Sequence, residues 1–262
     1  MGGLGLKVVI LSDLHAGDAF GLANPANVPE IKAGHEFAKI LFDWYLAKVQ
    51  EIGAVDLILC PGELIEGPGS KDTIELWTTD LEEQADTCAD LLTMWKCDTY
   101  KTCYASLYHS GKDHNSEHLV VKELRARGRD ADIKTTQRLD LNGLLVNMFH
   151  KVGGSATAYG FASQLAKTAA TDVVRGAYRG YAPAELYIRG HTHNFGHAGN
   201  DLFTVINAPA LKWPLGRYGR QIDRPYYTMG IIEMEINGPT DWTWQPHILR
   251  HALPEESYDK IA

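Results

Sequence analysis

Long apolar runs are missing from this chain, and nothing approaches the ~18 consecutive apolar residues of a membrane-spanning helix, so no helical membrane segment is expected. Cysteine is scarce. The four present, Cys60, Cys88, Cys97 and Cys103, form no Cys-x-x-Cys pair and no disulfide-framework spacing, which excludes a thiolate zinc site and a cross-linked scaffold. Free thiols in a reducing cytoplasm are the expectation. A basic stretch followed by an apolar one is absent near Met1, so no secretory leader is expected, and Leu6 stands where a myristoylation pattern wants Ser or Thr. Positive charge is also in deficit, with 25 Lys and Arg against 33 Asp and Glu. A net charge of −8 argues against a nonspecific nucleic-acid coat while leaving room for a local basic patch. Neither internal repeats nor low-complexity linkers interrupt the chain. With 262 residues and 45% hydrophobic content, we expect a single domain spanning 1–262 with a substantial core.

What is present begins with Lys7-Val8-Val9-Ile10-Leu11, an aliphatic run that predicts a buried strand, followed directly by Asp13-Leu14-His15. A carboxylate and an imidazole at i and i+2 past a strand's carboxyl end stand where open α/β sheets bind ligands. The polar loop from Gly17 to about Glu30 is long for a strand–helix connection and is a candidate rim or lid. Phe37, Ile40, Leu41 and Trp44 mark a helix face, and Asp56 to Cys60 is a second strand, ended by Pro61-Gly62 and followed by Glu63 and Glu66. Ile74, Trp77, Leu81, Cys88, Leu91 and Trp95 predict a long helix whose aromatics serve the core. Tyr100 to Tyr108 reads as a third strand, leading into the His109–His118 stretch with three histidines and two acids. Ile133–Leu141 and Leu144–Phe149 predict a hairpin around Asn142-Gly143, ending on His150. A helix over 157–175, a strand over Glu185–Arg189 leading into Gly190-His191-Thr192-His193, and strands over 202–207, 226–237 and 242–253 complete the pattern.

Asp13, His15, Glu63, His109, Asp113, His114, His150, His191 and His193 thus lie just past predicted strand ends. Oxygen and imidazole donors without thiolate suit borderline first-row metals, and seven or more such donors are enough for two ions and too many for one. Two metals sharing a bridging carboxylate, ~3.5–4 Å apart, form a clamp for a phosphoryl group. His35, His118, His197, His247 and His251 lack that placement and read as ordinary surface or core histidines. The stretch from Lys212 through Arg224, with Arg217 and Arg220 among aromatics, is either a solvated loop or a cationic, stacking surface for a nucleotide, and Arg175 and Arg179 carry the same two readings.

In order and placement, Asp13-Leu14-His15, Gly62-Glu63-Leu64-Ile65-Glu66, His150 and Gly190-His191-Thr192-His193 resemble the calcineurin-like metallophosphoesterases over roughly residues 7–194. The resemblance implies a four-layer α/β/β/α sandwich of two mixed sheets, with parallel βαβ units first and an antiparallel edge in the carboxy-terminal third. It implies one metal on Asp13, His15, Glu63 and His193, and a second on Glu63, His150, His191 and a third-block ligand. Manganese is the expected metal, with Fe, Ni, Co or Zn as alternatives. Glu63 stands where the family has a bridging Asp. The third block departs from Gly-Asn-His. Ala105-Ser106-Leu107-Tyr108-His109 is similar to a Gly-Thr-x-x-His variant of phage-encoded members, making His109 catalytic, whereas a second alignment uses Asp113-His114. The implied activity is phosphate-ester hydrolysis without a covalent enzyme intermediate. A phosphodiester, nucleotide or nucleic-acid substrate, met by Arg217 and Arg220, stands ahead of a phosphomonoester or phosphoprotein. The reading from another class is a metal-binding interaction module whose catalysis has lapsed through Glu63.

Overall fold

The computed structural model describes residues 5–68, 75–111, 116–153, 158–216 and 227–251. Among them the chain builds β1 (Leu6–Ile10), α1 (His35–Ile52), β2 (Leu57–Cys60), α2 (Leu81–Thr93), β3 (Thr99–Cys103), α3 (Leu107–Ser110), α4 (Ser116–Ala126) and β4 (Asp130–Lys134). There follow β5 (Thr136–Leu141), β6 (Leu144–Phe149), α5 (Ala158–Arg179), β7 (Leu186–Arg189), β8 (Gly196–Gly199), β9 (Thr204–Asn207), β10 (Gly230–Ile236) and β11 (Trp242–Ile248). One sheet has the order β11-β10-β1-β2-β3-β4 and the other β5-β6-β7-β9-β8.

The β1–β2, β2–β3 and β3–β4 pairs are parallel, whereas β10 joins β1 and β11 antiparallel. A strand covered on both faces is continuously aliphatic. In β1, Val8 and Ile10 enter the core between the two sheets, where Leu59, Met148, Ile188 and Ile206 meet them. Val9 faces the other way, onto a core shared with Leu41, Tyr45, Leu92, Trp95 and Leu124 of α1, α2, α4 and the turn after α2. On the far side, Leu165 and Ala169 of α5 pack on Tyr187 and Val205 of the second sheet. The layers are therefore α/β/β/α, with two mixed sheets in the middle.

Several boundaries differ from the sequence expectation. The third strand stops at Cys103 rather than Tyr108, and Leu107–Ser110 form a helical turn closed by Gly111 at φ 74°, so His109 sits on that turn and not directly past a strand end. The long helix starts only at Leu81, because the Asp80 carboxylate accepts hydrogen bonds from the amides of Glu82 and Glu83 and caps it there. Trp77 precedes the helix, and Ile74 lies outside the described residues. Ile133 belongs to β4, parallel to β3, so the hairpin is β5–β6 alone and the chain changes sheets at Thr135. Helix α5 runs on to Arg179, ended by Gly180 at φ 71°. The Gly17–Glu30 loop is no lid: Ala19, Phe20, Leu22, Ala23 and Val28 are buried, the smaller ones packed with Ala38.

Candidate metal centre

The loops after β1 and β2 continue to pair after the strands end. The Asp13, His15 and Ala16 amides donate to Gly62 O, Glu63 O and Leu64 O, at 3.1, 3.0 and 3.1 Å. Of six non-glycine residues with positive φ among those described, five are Asp13, His15, Glu63, His191 and His193, at 50–75°. The sixth, Asn142, sits in the β5–β6 turn. Each such left-handed residue costs ~1–3 kcal/mol and persists where its surroundings over-determine it, which is characteristic of functional sites. Two glycines permit the close approach of the sheets here. A Cβ on Gly190 would lie 2.3 Å from Ser12 Oγ, and one on Gly62 would lie 2.9 Å from His150 Nδ1.

Into this junction project three sets of donors, one of them His15, Glu66 and His109, and the other two joined by Glu63. Of these two, Asp13, His15, Glu63 and His193 form one; Glu63, His150 and His191 form the other, and within each set the donor atoms lie within 4.8 Å of one another. Glu63 divides its oxygens between them. Its Oε2 is 3.4 Å from His15 Nε2 and 3.7 Å from His193 Nε2, while its Oε1 is 3.0 Å from His150 Nε2 and 3.5 Å from His191 Nδ1. Asp13 is fully buried and accepts a hydrogen bond from the His191 amide at 3.2 Å, so one carboxylate ties the two sheets together.

The donors fit a cation. His150 Nδ1 is buried without a hydrogen-bond partner among the described residues, and His150 Nε2 and His191 Nδ1 are buried with only the shared Glu63 Oε1 beside them and no well-aligned hydrogen bond, a state that native structures rarely leave unexplained. Burial opposes charge on Glu63, yet His150, His15 and His191 hold its carboxyl well below the usual range. The reciprocal field acts on the imidazoles. Burial works against protonation of His193, but Tyr227 and Asp13 push its pKa well above the ordinary value, and Glu63 raises that of His150 against the same penalty. A field that draws protons onto buried imidazoles favours a divalent cation equally, and only deprotonated donors can take one.

A supporting shell fixes these donors. The Glu66 carboxylate accepts from His15 Nδ1 at 2.8 Å, which leaves Nε2 with its lone pair toward the site, the usual carboxylate–histidine arrangement at metals. Lys212 Nζ lies 3.1 Å from Glu66 Oε2 and 2.7 Å from Asp18 Oδ2. Tyr227 OH pairs with His193 Nδ1. His109 donates from Nδ1 to Glu66 O at 2.7 Å, turning Nε2 to within 3.9 Å of Glu63 Oε1. Burial and the neighbouring His15 lower its pKa against the pull of Glu63 and Glu66.

Of the residues singled out from the sequence, Asp13, His15, Glu63, His150, His191 and His193 are thus brought together, with His109 at their edge. Asp113, His114, Arg217 and Arg220 lie outside the described residues. Arg175 and Arg179 are exposed on α5. His35, His118, His197, His247 and His251 join none of the donor sets. Glu66, Lys212, Tyr227, Ser106 and Glu117 join the site through contacts that only the fold creates. Glu66 is buried rather than solvated, and Lys212 and Trp213 are not a solvated loop: Trp213 is 1% exposed and Lys212 is ion-paired.

Glu117, from α4, is fully buried and accepts from Leu64 N at 3.1 Å and Ala105 N at 2.5 Å, holding the loops that carry Glu63 and Ser106. Burial pushes its carboxyl up to about 7 from an ordinary 4.5, although the two amides pull it down. A raised acid favours the folded state fully below its unfolded pKa, and this contribution, ~3 kcal/mol, is lost as pH rises through about 7. In chelated protein, denaturant titrations at about pH 5 and 8 should therefore show a steeper loss of stability for the wild type than for Glu117→Gln. Parallel pH profiles would refute this.

No protein-family model matches the sequence, and no curated protein matches it. Among solved structures, an archaeal phosphodiesterase is similar at 12% identity and a TM-score of 0.48, covering 93% of this chain and 100% of its own. Vps29 of Entamoeba histolytica, solved in complex with zinc, is similar at 11% identity and a TM-score of 0.43, covering 93% of this chain and 99% of its own. The NAD nucleotidase of Haemophilus influenzae gives 9% and 0.44, with 94% of this chain covering 50% of that one. All three scores fall below 0.5, and the functional reading below rests on this chain's own residues.

Proposed function

We propose that the chain is a calcineurin-like metallophosphoesterase that hydrolyses phosphodiesters at two divalent ions. The observation that carries this reading is the division of Glu63, one carboxylate oxygen facing Asp13, His15 and His193 and the other facing His150 and His191. When bound, such a pair of ions supplies Lewis-acid charge and an activated water for in-line displacement. The protein's own part is positional and acid–base. Glu66 and Tyr227 fix His15 and His193 through their outer nitrogens. His109 presents Nε2 beside Glu63 Oε1, and once protonated it is the group placed to give a proton to the departing oxygen.

A diester is favoured over a monoester by the surface next to the donors. A half-open cavity of about 610 Å³, with a mixed lining that includes Phe195, Tyr227, Met229, Ile248, Arg250 and His251, shares with the donors the tyrosine paired with His193. A diester carries a second organic group, on the side of phosphorus away from the leaving oxygen, which can be buried there; a monoester has only its leaving group to place.

With manganese supplied, a chromogenic bis-aryl phosphate should be turned over with a kcat/KM at least about tenfold above that of the mono-aryl phosphate. Tenfold corresponds to ~1.4 kcal/mol, within what burial of one aryl group provides. A preference for the mono-ester would overturn the diester assignment. No turnover of either under any divalent ion would favour a lapsed, purely metal-binding module.

A further inference from the structure

The second donor set is short by one. Asp13, His15, Glu63 and His193 make a set of four, whereas Glu63, His150 and His191 make three. Ser106 lies beside the gap. It is 7% exposed and opens the turn Leu107–Ser110, where its carbonyl accepts from the His109 and Ser110 amides. A serine there ordinarily turns its hydroxyl back onto the amides of the following turn, a contact worth ~1 kcal/mol. Here the side chain makes no such bond.

Ser106 Oγ instead reaches Glu63 Oε1 at 2.8 Å. That is the oxygen lying 3.0 Å from His150 Nε2 and 3.5 Å from His191 Nδ1, so hydroxyl and both imidazoles gather about one carboxylate oxygen. The loop is held from behind, since the preceding Ala105 amide donates to the buried Glu117 carboxylate at 2.5 Å. A hydroxyl oriented by its own backbone toward one oxygen of a shared carboxylate, at the expense of a local cap, is placed for a ligand.

We propose that Ser106 Oγ is the fourth protein donor to the ion held by Glu63, His150 and His191. The inference rests on the two-ion reading above. A neutral hydroxyl joined to one carboxylate and two imidazoles gives an all-oxygen-and-nitrogen set, which suits manganese, cobalt or zinc and offers nothing to a soft ion such as Cu(I). It also leaves the site one negative charge lighter than a carboxylate at this position would, so the ion keeps more of its charge for a phosphate.

The test is cobalt(II) titration of the chelated full-length chain, read by absorption and by bound metal per chain. Wild type should take two equivalents. Ser106→Ala should bind the first equivalent as wild type does and the second about 10- to 100-fold more weakly, and Ser106→Thr should restore it. Ser106→Cys is the direct probe. A thiol that ligates loses its proton to the buffer, and a thiolate-to-cobalt charge-transfer band should grow in the near ultraviolet as the second site fills. Two equivalents in wild type, with a second-site affinity unmoved in Ser106→Ala and no such band in Ser106→Cys, would overturn the role of Ser106 alone. Fewer than two equivalents in wild type would overturn the two-ion reading, and the inference with it.

Discussion

Exchanging Glu63 for Gln should remove at least one of two bound metals and lower phosphodiester turnover about a thousandfold. The amide keeps the size and polar shape of the side chain, so packing is preserved, but it carries no charge and has only one oxygen. Oε1 and Oε2 each face a different set of donors, at 3.0 Å from His150 Nε2 and 3.4 Å from His15 Nε2. No amide serves both sides. A nitrogen turned toward either set presents hydrogens to a cation, and the charge that would balance the two proposed ions in a buried site is gone. A loss of ~4 kcal/mol in the stabilisation that two ions give a phosphoryl transition state corresponds to ~10³ in rate. Metal content per chain, measured with bis-ester hydrolysis in manganese, gives the answer. Two tightly held ions with undiminished turnover in Glu63→Gln would remove the carboxylate from the centre of the chemistry. Glu63→Asp keeps the charge but draws it back by a methylene from imidazoles fixed at strand ends, so a partial loss, mainly in metal affinity, is the expected outcome there.

The parts of this molecule legible in the sequence are those in which neighbours along the chain share a physical environment. Val8, Val9 and Ile10 are buried on both faces of β1, so the strand announces itself as an unbroken aliphatic run. Asp13, His15, Glu63, His150, His191 and His193 each follow such a run by a few residues, so their common end of the two sheets could be inferred from order alone. The third block defeats that logic because its geometry is set from a distance. Tyr104 and Ala105 continue a strand-like pattern, yet β3 ends at Cys103. The loop there turns on Glu117, 12 residues further along, and on Ser106 reaching back 43 residues to Glu63. Strand β8, Gly-His-Ala-Gly, has no β-favouring residue and exists because β9 pairs with it antiparallel. Glu66 and Lys212 are the sharpest case. Separated by 146 residues, they read singly as a loop acid and a loop base, and only the fold makes them a buried pair behind His15.

That pair sets the largest stability effect expected in the chain. Lys212→Met should lower stability by ~3–5 kcal/mol, the usual cost of stripping one partner from buried charges. Lys212 Nζ sits between Asp18 Oδ2 at 2.7 Å and Glu66 Oε2 at 3.1 Å, with the two carboxylate side chains 4% and 6% exposed. Methionine fills most of the lysine's volume, so the penalty is electrostatic: two carboxylates left facing each other out of water. At ~2–4 °C per kcal/mol for a chain of this length, the midpoint of thermal unfolding should fall by roughly 10 °C. The pH dependence has a fixed sign. Burial raises the Glu66 carboxyl, but Lys212 and His15 outweigh it and hold the group well below its ordinary range, so its stabilising contribution is present above that range and lost on acidification. In Lys212→Met the Glu66 carboxyl regains its proton more readily, and the gap to wild type should narrow from about pH 7 to about pH 4. Adding Glu66→Gln to Lys212→Met should recover part of the loss at pH 7, since one of the two opposed charges is then gone, and the double-mutant cycle should return a coupling of ~1 kcal/mol or more. Strict additivity, or a penalty equal at both pH values, would mean that Lys212 supports the fold through its methylene packing alone.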